Sequence, residues 1–163
     1  MDSAYHDQPA SKNSTLLVVD DKPQALEAIF AILQDEYEIQ TFNQTADALL
    51  YLEHHHVDLI LTNANMAGIN GLEFLSRCYD KDPFNMRFVM AESAQIEPIL
   101  SALKSGRVSR YLLTPWTPEQ LRHAIAEAIE FLELKKSKRE LSQNLMQQSL
   151  EINSLRGQLV GAD

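Results

Sequence analysis

The chain has 163 residues, enough for one domain of ordinary size plus an extension, and its 45% hydrophobic and 23% charged residues are the balance of a globular protein. Its formal charge of −9 argues against nonspecific binding to nucleic acid or an anionic membrane, since both need a basic surface. The lone cysteine, Cys78, excludes an intrachain disulfide and fits a reducing compartment, so a cytoplasmic location is expected, and no apolar run reaches the roughly 18 residues of a membrane span.

Residues 1–14 carry neither an apolar core nor a signal-peptide layout, and they read as a disordered tail. Thr15 to Val19 is an apolar strand closed by Asp20 and Asp21. Pro23 suits the first turn of a helix, and Leu26, Ile29, Phe30 and Leu33 continue it at helical spacing. Tyr37 to Phe42 alternates as a short strand. Thr45 is expected to cap a second helix carrying Ala48, Leu49 and Leu52, which ends at His54-His55-His56. Three consecutive histidines point in different directions and rarely chelate together, so they read as a solvated helix end.

Asp58 to Thr62 is a buried strand closing on an amide, Asn63. Ala64 to Asn70 is a small-residue loop punctuated by Gly68 and Gly71, and a helix with Leu72, Leu75 and Tyr79 follows. Pro83 breaks the chain before a fourth strand, Arg87 to Ala91. Ile96, Ile99, Leu100 and Leu103 mark a fourth helix stopped near Gly106. Arg110 to Leu113 is the fifth strand, and Thr117 with Pro118 opens the last helix.

Strands alternating with helices predict a parallel sheet covered on both faces. Ligands in such sheets sit at the carboxyl ends of the strands, where Asp20, Asp21, Asn63, Ala91 and Thr114 all fall.

The last helix runs on without proline from Glu119 to about Gln158. Phe131, Lys138, Leu145, Ile152 and Leu159 are seven apart, and Leu134, Leu141, Gln148 and Leu155 form a second set offset by three. This is the seam of a two-stranded coiled coil with two polar interruptions, expected over 133–160 and expected to make a homodimer. Isoleucine at one core position and leucine at the other favour a parallel pair, in which Glu151 faces Arg156 of the second copy. The competing reading is one amphipathic helix folded back on the domain.

The runs LLVVDD followed by Pro23, VDLILTN, MAGINGLEFL and SRYLLTPW, in that order, resemble a response-regulator receiver domain of two-component signalling over about Thr15 to Leu132. The resemblance implies a flavodoxin-like α/β fold with strand order 2-1-3-4-5, an acidic pair holding Mg²⁺, a phospho-acceptor aspartate ending strand three, a hydroxyl residue ending strand four and a lysine before the strand-five proline. Here the pair is Asp20 and Asp21, but the other three positions are Asn63, Ala91 and Thr114. Tyr111 matches an aromatic that reports the switch, and the resemblance implies a cis Thr114-Pro115 peptide.

An amide is a poor nucleophile for acyl phosphate chemistry, alanine offers no hydroxyl, and threonine carries no charge to pair with a phosphoryl group. Three parts of one mechanism are absent together, which reads as a phosphorylation-independent pseudo-receiver, not an enzyme, needing no cofactor. Two readings of the acidic pair stand: weak retention of Mg²⁺, or carboxylates that sit in solvent, hydrogen-bonded to loop amides. The expected role is a signalling interaction and dimerisation module acting on an attached or partner output domain, such as a cyclic-dinucleotide enzyme. The alternative is a receiver still regulated by metal, phosphodonor or a small ligand at the strand-end pocket.

Overall fold

The computed structural model describes residues 14–161, so the tail expected over 1–14 lies almost wholly outside the described residues. The strands are β1 (Thr15–Val19), β2 (Glu38–Phe42), β3 (Leu59–Asn63), β4 (Met86–Ala91) and β5 (Arg110–Leu113). The helices are α1 (Pro23–Leu33), α2 (Thr45–Leu52), α3 (Gly71–Lys81), α4 (Ile96–Lys104) and α5 (Pro118–Val160), with one 3₁₀ turn at Ser93–Gln95 leading into α4. The sheet order is β2-β1-β3-β4-β5 and every pairing is parallel, the flavodoxin-like arrangement that the receiver resemblance implies.

Burial explains the strand compositions. β1, β3 and β4 are interior strands, and Leu16, Leu17, Val18, Val19, Leu59, Ile60 and Leu61 are fully buried, as continuous apolar runs must be in a sheet covered on both faces. β2 is an edge strand and exposes Glu38, Gln40 and Thr41. The register sets Val19 beside both Phe42 and Thr62, Asn63 beside Met90, and Ala91 beside Leu113, so the carboxyl ends of all five strands finish close to one level. Strand order reverses between β1 and β3, which opens a crevice there.

Helix starts depart from expectation at one point. Thr45 is the first helical residue of α2 and not its cap; Gln44 holds the extended cap position. The Thr45 hydroxyl donates instead to the Ile69 carbonyl at 3.2 Å, which pins α2 to the loop before α3. α3 is capped by Asn70, whose side chain accepts from the Glu73 N–H at 2.9 Å. α2 stops at Leu52, before the histidines.

The chain divides into two compact units, one ending at Ile129 and one beginning at Glu130. The first contains the sheet, and the Arg110–Glu127 ion pair at 3.2 Å ties β5 to α5 within it. The second is the helical remainder of α5, on which Leu134, Leu141, Leu145, Ile152, Leu155 and Leu159 are all exposed.

Candidate functional site

Asp20 follows β1 and Asn63 ends β3, on the two sides of the crevice. Asp20 is only 3% exposed. Its Oδ1 accepts the Lys22 N–H at 2.9 Å, and its Oδ2 accepts from Asn63 Nδ2 at 3.4 Å. Asn63 Oδ1 in turn accepts the Asn65 N–H at 3.0 Å, so both ends of the amide have partners. A carboxylate can only accept, which fixes the nitrogen of Asn63 toward Asp20. Burial raises the Asp20 pKa above the ordinary 3.8 despite the opposing hydrogen bonds from Lys22 and Asn63, and the neighbouring Asp21 carboxylate adds to the rise.

Gly71 allows this geometry. Its N–H donates to the Ala64 carbonyl at 3.0 Å, bringing the start of α3 against the end of β3. A Cβ at that position would collide with the Asn63 carbonyl oxygen and sit 2.8 Å from Ala64 Cα. Gly68, at φ 77°, supplies the left-handed turn in the preceding loop.

Ala91 closes β4 and is buried, and its carbonyl accepts the Thr114 N–H at 2.9 Å. Thr114-Pro115 is cis. Together Asp20, Asp21, Asn63, Ala91 and Thr114 line one cleft of about 370 Å³, with Lys22, Asn65, Glu92, Gln95 and the partly buried Trp116. All five strand-end residues expected to meet do meet. Tyr111 stands apart from that lining, exposed on β5. The cleft contains the carboxylates of Asp20, Asp21 and Glu92, the Asn63 amide, the Ala91 methyl group and the Thr114 hydroxyl. Asp20 and Asp21 are the residues that would hold a cation, and among the described residues no cluster of three or more His, Cys, Asp or Glu is placed to hold a metal.

The histidine run lies in a different cleft of about 320 Å³, with Cys78, Lys81, Asp82 and Asn85. The rings diverge: His55 contacts the Tyr51 carbonyl at 2.9 Å and stacks on its ring, while His56 contacts Asp82 at 3.0 Å. Cys78 is buried there, and burial pushes its thiol from 9.0 up to about 12, which leaves it protonated and unreactive at neutral pH.

Arg87 was not singled out in the sequence, yet it is buried on β4. Its guanidinium donates to the carbonyls of Arg107 at 2.9 Å, Gly106 at 3.1 Å and Asn85 at 2.7 Å, and lies 5.0 Å from the centre of the Tyr79 ring. It ties the loop before β5 to the sheet. The one signal in the sequence is a charge opening an otherwise apolar run.

The response regulator receiver domain family matches residues 16–126. The hydrogenase transcriptional regulatory protein HoxA of Bradyrhizobium diazoefficiens is 30% identical over 126 residues, covering 77% of this chain and 26% of HoxA. The cyclic di-GMP phosphodiesterase response regulator RpfG of Xanthomonas campestris pv. campestris is 25% identical over 147 residues, covering 88% of this chain and 39% of RpfG. The chain thus spans only about a quarter of HoxA and well under half of RpfG. The high-resolution structure of the chemotaxis response regulator CheY4 of Vibrio cholerae superposes with a TM-score of 0.65 at 23% identity, over 71% of this chain and 98% of that one, a likeness of fold. With its five parallel strands in the order 2-1-3-4-5 and its acidic cleft at their carboxyl ends, the chain belongs to the response regulator receiver domain family.

Proposed function

We propose that this receiver works without phosphorylation, as an interaction and dimerisation module for an attached or partner output domain. The observation that carries the reading is the Asn63–Asp20 contact. With an aspartate at position 63, two carboxylates would face each other and call for a cation between them. The amide turns that repulsion into a hydrogen bond, so the centre of the cleft is satisfied by the chain itself. Ala91 offers no hydroxyl to a phosphoryl oxygen, and Thr114 offers no ammonium.

The exposed apolar side chains support a role in contacts. Leu100, Tyr111 and Leu113 are exposed on α4 and β5, a face suited to a protein partner. The apolar stripe of α5 supports a homodimer through a coiled coil over 133–160. RpfG, by its name, joins a response regulator to a cyclic di-GMP phosphodiesterase, which supports a cyclic-dinucleotide enzyme as one kind of output.

The test is incubation with acetyl phosphate and Mg²⁺, read by intact-protein mass spectrometry. No added phosphoryl mass is expected for the native chain. A stoichiometric gain would sink the reading and favour a receiver still switched through Asp20, Asp21 or a substitute acceptor in the same cleft.

A further inference from the structure

The second unit of the chain carries a charge pattern that goes beyond the apolar seam. Take Phe131, Lys138, Leu145, Ile152 and Leu159 as the first core set and Leu134, Leu141, Gln148 and Leu155 as the second. The positions just before the first set are Glu130, Ser137, Asn144, Glu151 and Gln158. Those just after the second are Lys135, Ser142, Ser149 and Arg156. Every charge on one flank is negative and every charge on the other is positive. Lys135 is held beside the seam, its ammonium 4.7 Å from the centre of the Phe131 ring.

Two parallel, in-register helices set each position of the first flank against the second-flank position five residues on in the other copy. Glu130 then faces Lys135, and Glu151 faces Arg156, in both directions across the pair. The two Gln148 amides face each other and can exchange a hydrogen bond. The two Lys138 stems cover the seam while their ammonium groups reach outward to water.

Other alignments lose these contacts. A parallel shift of seven residues puts Lys138 against Phe131 or Leu145 and Gln148 against Leu141 or Leu155, stranding polar groups on apolar ones. One antiparallel alignment, centred near residue 143, keeps the apolar layers and sets Lys138 against Gln148. It brings like flanks together, however, so that Glu151 faces Ser137 and Lys135 faces Ser149, with no opposite charges paired.

We infer that a second copy of this chain packs on the α5 stripe parallel and in register, with Gln148 and the Glu130/Lys135 and Glu151/Arg156 positions setting the alignment. This rests on the dimerisation reading above. The pairing delivers residues 159 and 160 of both copies side by side, about 10 Å apart between helix axes. An output engaged there is presented with a twofold pair of attachment points.

Cross-linking of the full chain separates the possibilities. Leu155→Cys is oxidised alone, and also mixed with Phe131→Cys, with mass followed by light scattering. A disulfide needs Cα atoms within about 7 Å, which Leu155→Cys meets with itself only in the parallel pair and meets with Phe131→Cys only in the antiparallel one. Cys78 is buried and does not compete. A dimer in which Leu155→Cys closes on itself is the expected result. A dimer that yields only the mixed disulfide overturns the orientation and leaves dimerisation standing. A monomer overturns both, and a dimer yielding neither disulfide overturns the alignment and moves the dimer contact off this seam. Charge reversal gives a second reading: Glu151→Arg should raise the dimer dissociation constant about tenfold, and adding Arg156→Glu should return it to within about threefold. Without that rescue the paired charges do not set the alignment.

Discussion

Asn63 differs from aspartate by one atom type, and that difference decides the electrostatics of the cleft. In the native chain Asp20 already resists ionisation, because burial outweighs its hydrogen bonds. Its folded pKa lies above 3.8, so the native state holds its proton longer than the unfolded chain does. Stability therefore falls as pH rises through the interval between those two values and is free of this cost below it. Asn63→Asp removes the amide donor and sets a second carboxylate against Asp20. The variant should lose about 1–3 kcal/mol at pH 7, and the loss should shrink on acidification as one carboxyl of the pair takes a proton. Millimolar Mg²⁺ should restore much of the stability, since the ion binds the folded pair and not the unfolded chain. Thermal melts across pH, with and without Mg²⁺, check this. A variant as stable as its parent at pH 7, or indifferent to Mg²⁺, would contradict the contact. The identity of this residue was legible from its place at the end of an apolar strand. Its bond to Asp20 was not, because two residues 43 apart in sequence meet only through the β1–β3 register.

At the level of elements, apolar periodicity located all five strands and all five helices, and the departures have local causes. Asp58 was expected within β3, but it precedes the strand and accepts the Thr15 N–H at 2.9 Å, bracing β1 instead. Thr45 has the chemistry of a cap, yet its hydroxyl is drawn to the Ile69 carbonyl, a tertiary partner that no local pattern reveals. Gly71 reads in sequence as turn punctuation like Gly68, but the two glycines serve different ends. Gly68 takes a positive φ with open space around it, whereas Gly71 lets two backbone segments touch. Gly71→Ala should therefore cost far more than Gly68→Ala, about 2–4 kcal/mol from overpacking against backbone that has no rotamer to shift. The start of α3 must then withdraw from Ala64, loosening the loop that holds Asn63. Urea denaturation of the two variants measures the difference. Equal costs would mean that the α3–β3 approach is not the constraint that the backbone geometry describes.

At the scale of the whole molecule, the two units divide the work differently. The sheet unit has a core of its own, with Phe74, Phe88 and the central strands buried. The helical unit hides little: Leu134, Leu141, Leu145, Ile152, Leu155 and Leu159 are 51 to 78% exposed. A single helix with that stripe is stable only when something covers it, because intrinsic propensity alone contributes little over such a length. A second copy is the partner that the matched flanking charges fit. Ending the chain near Leu132 removes the stripe while retaining the sheet unit and the first turns of α5. Light scattering should then find a dimer for the full chain and a monomer for the shortened one, with the shortened chain still melting cooperatively. A dimer in both would place assembly on the sheet unit, where Leu100, Tyr111 and Leu113 are exposed on α4 and β5. A monomer in both would mean that the stripe is covered by another protein, and that the dimer seam read from its seven-residue spacing is a docking surface for that protein instead.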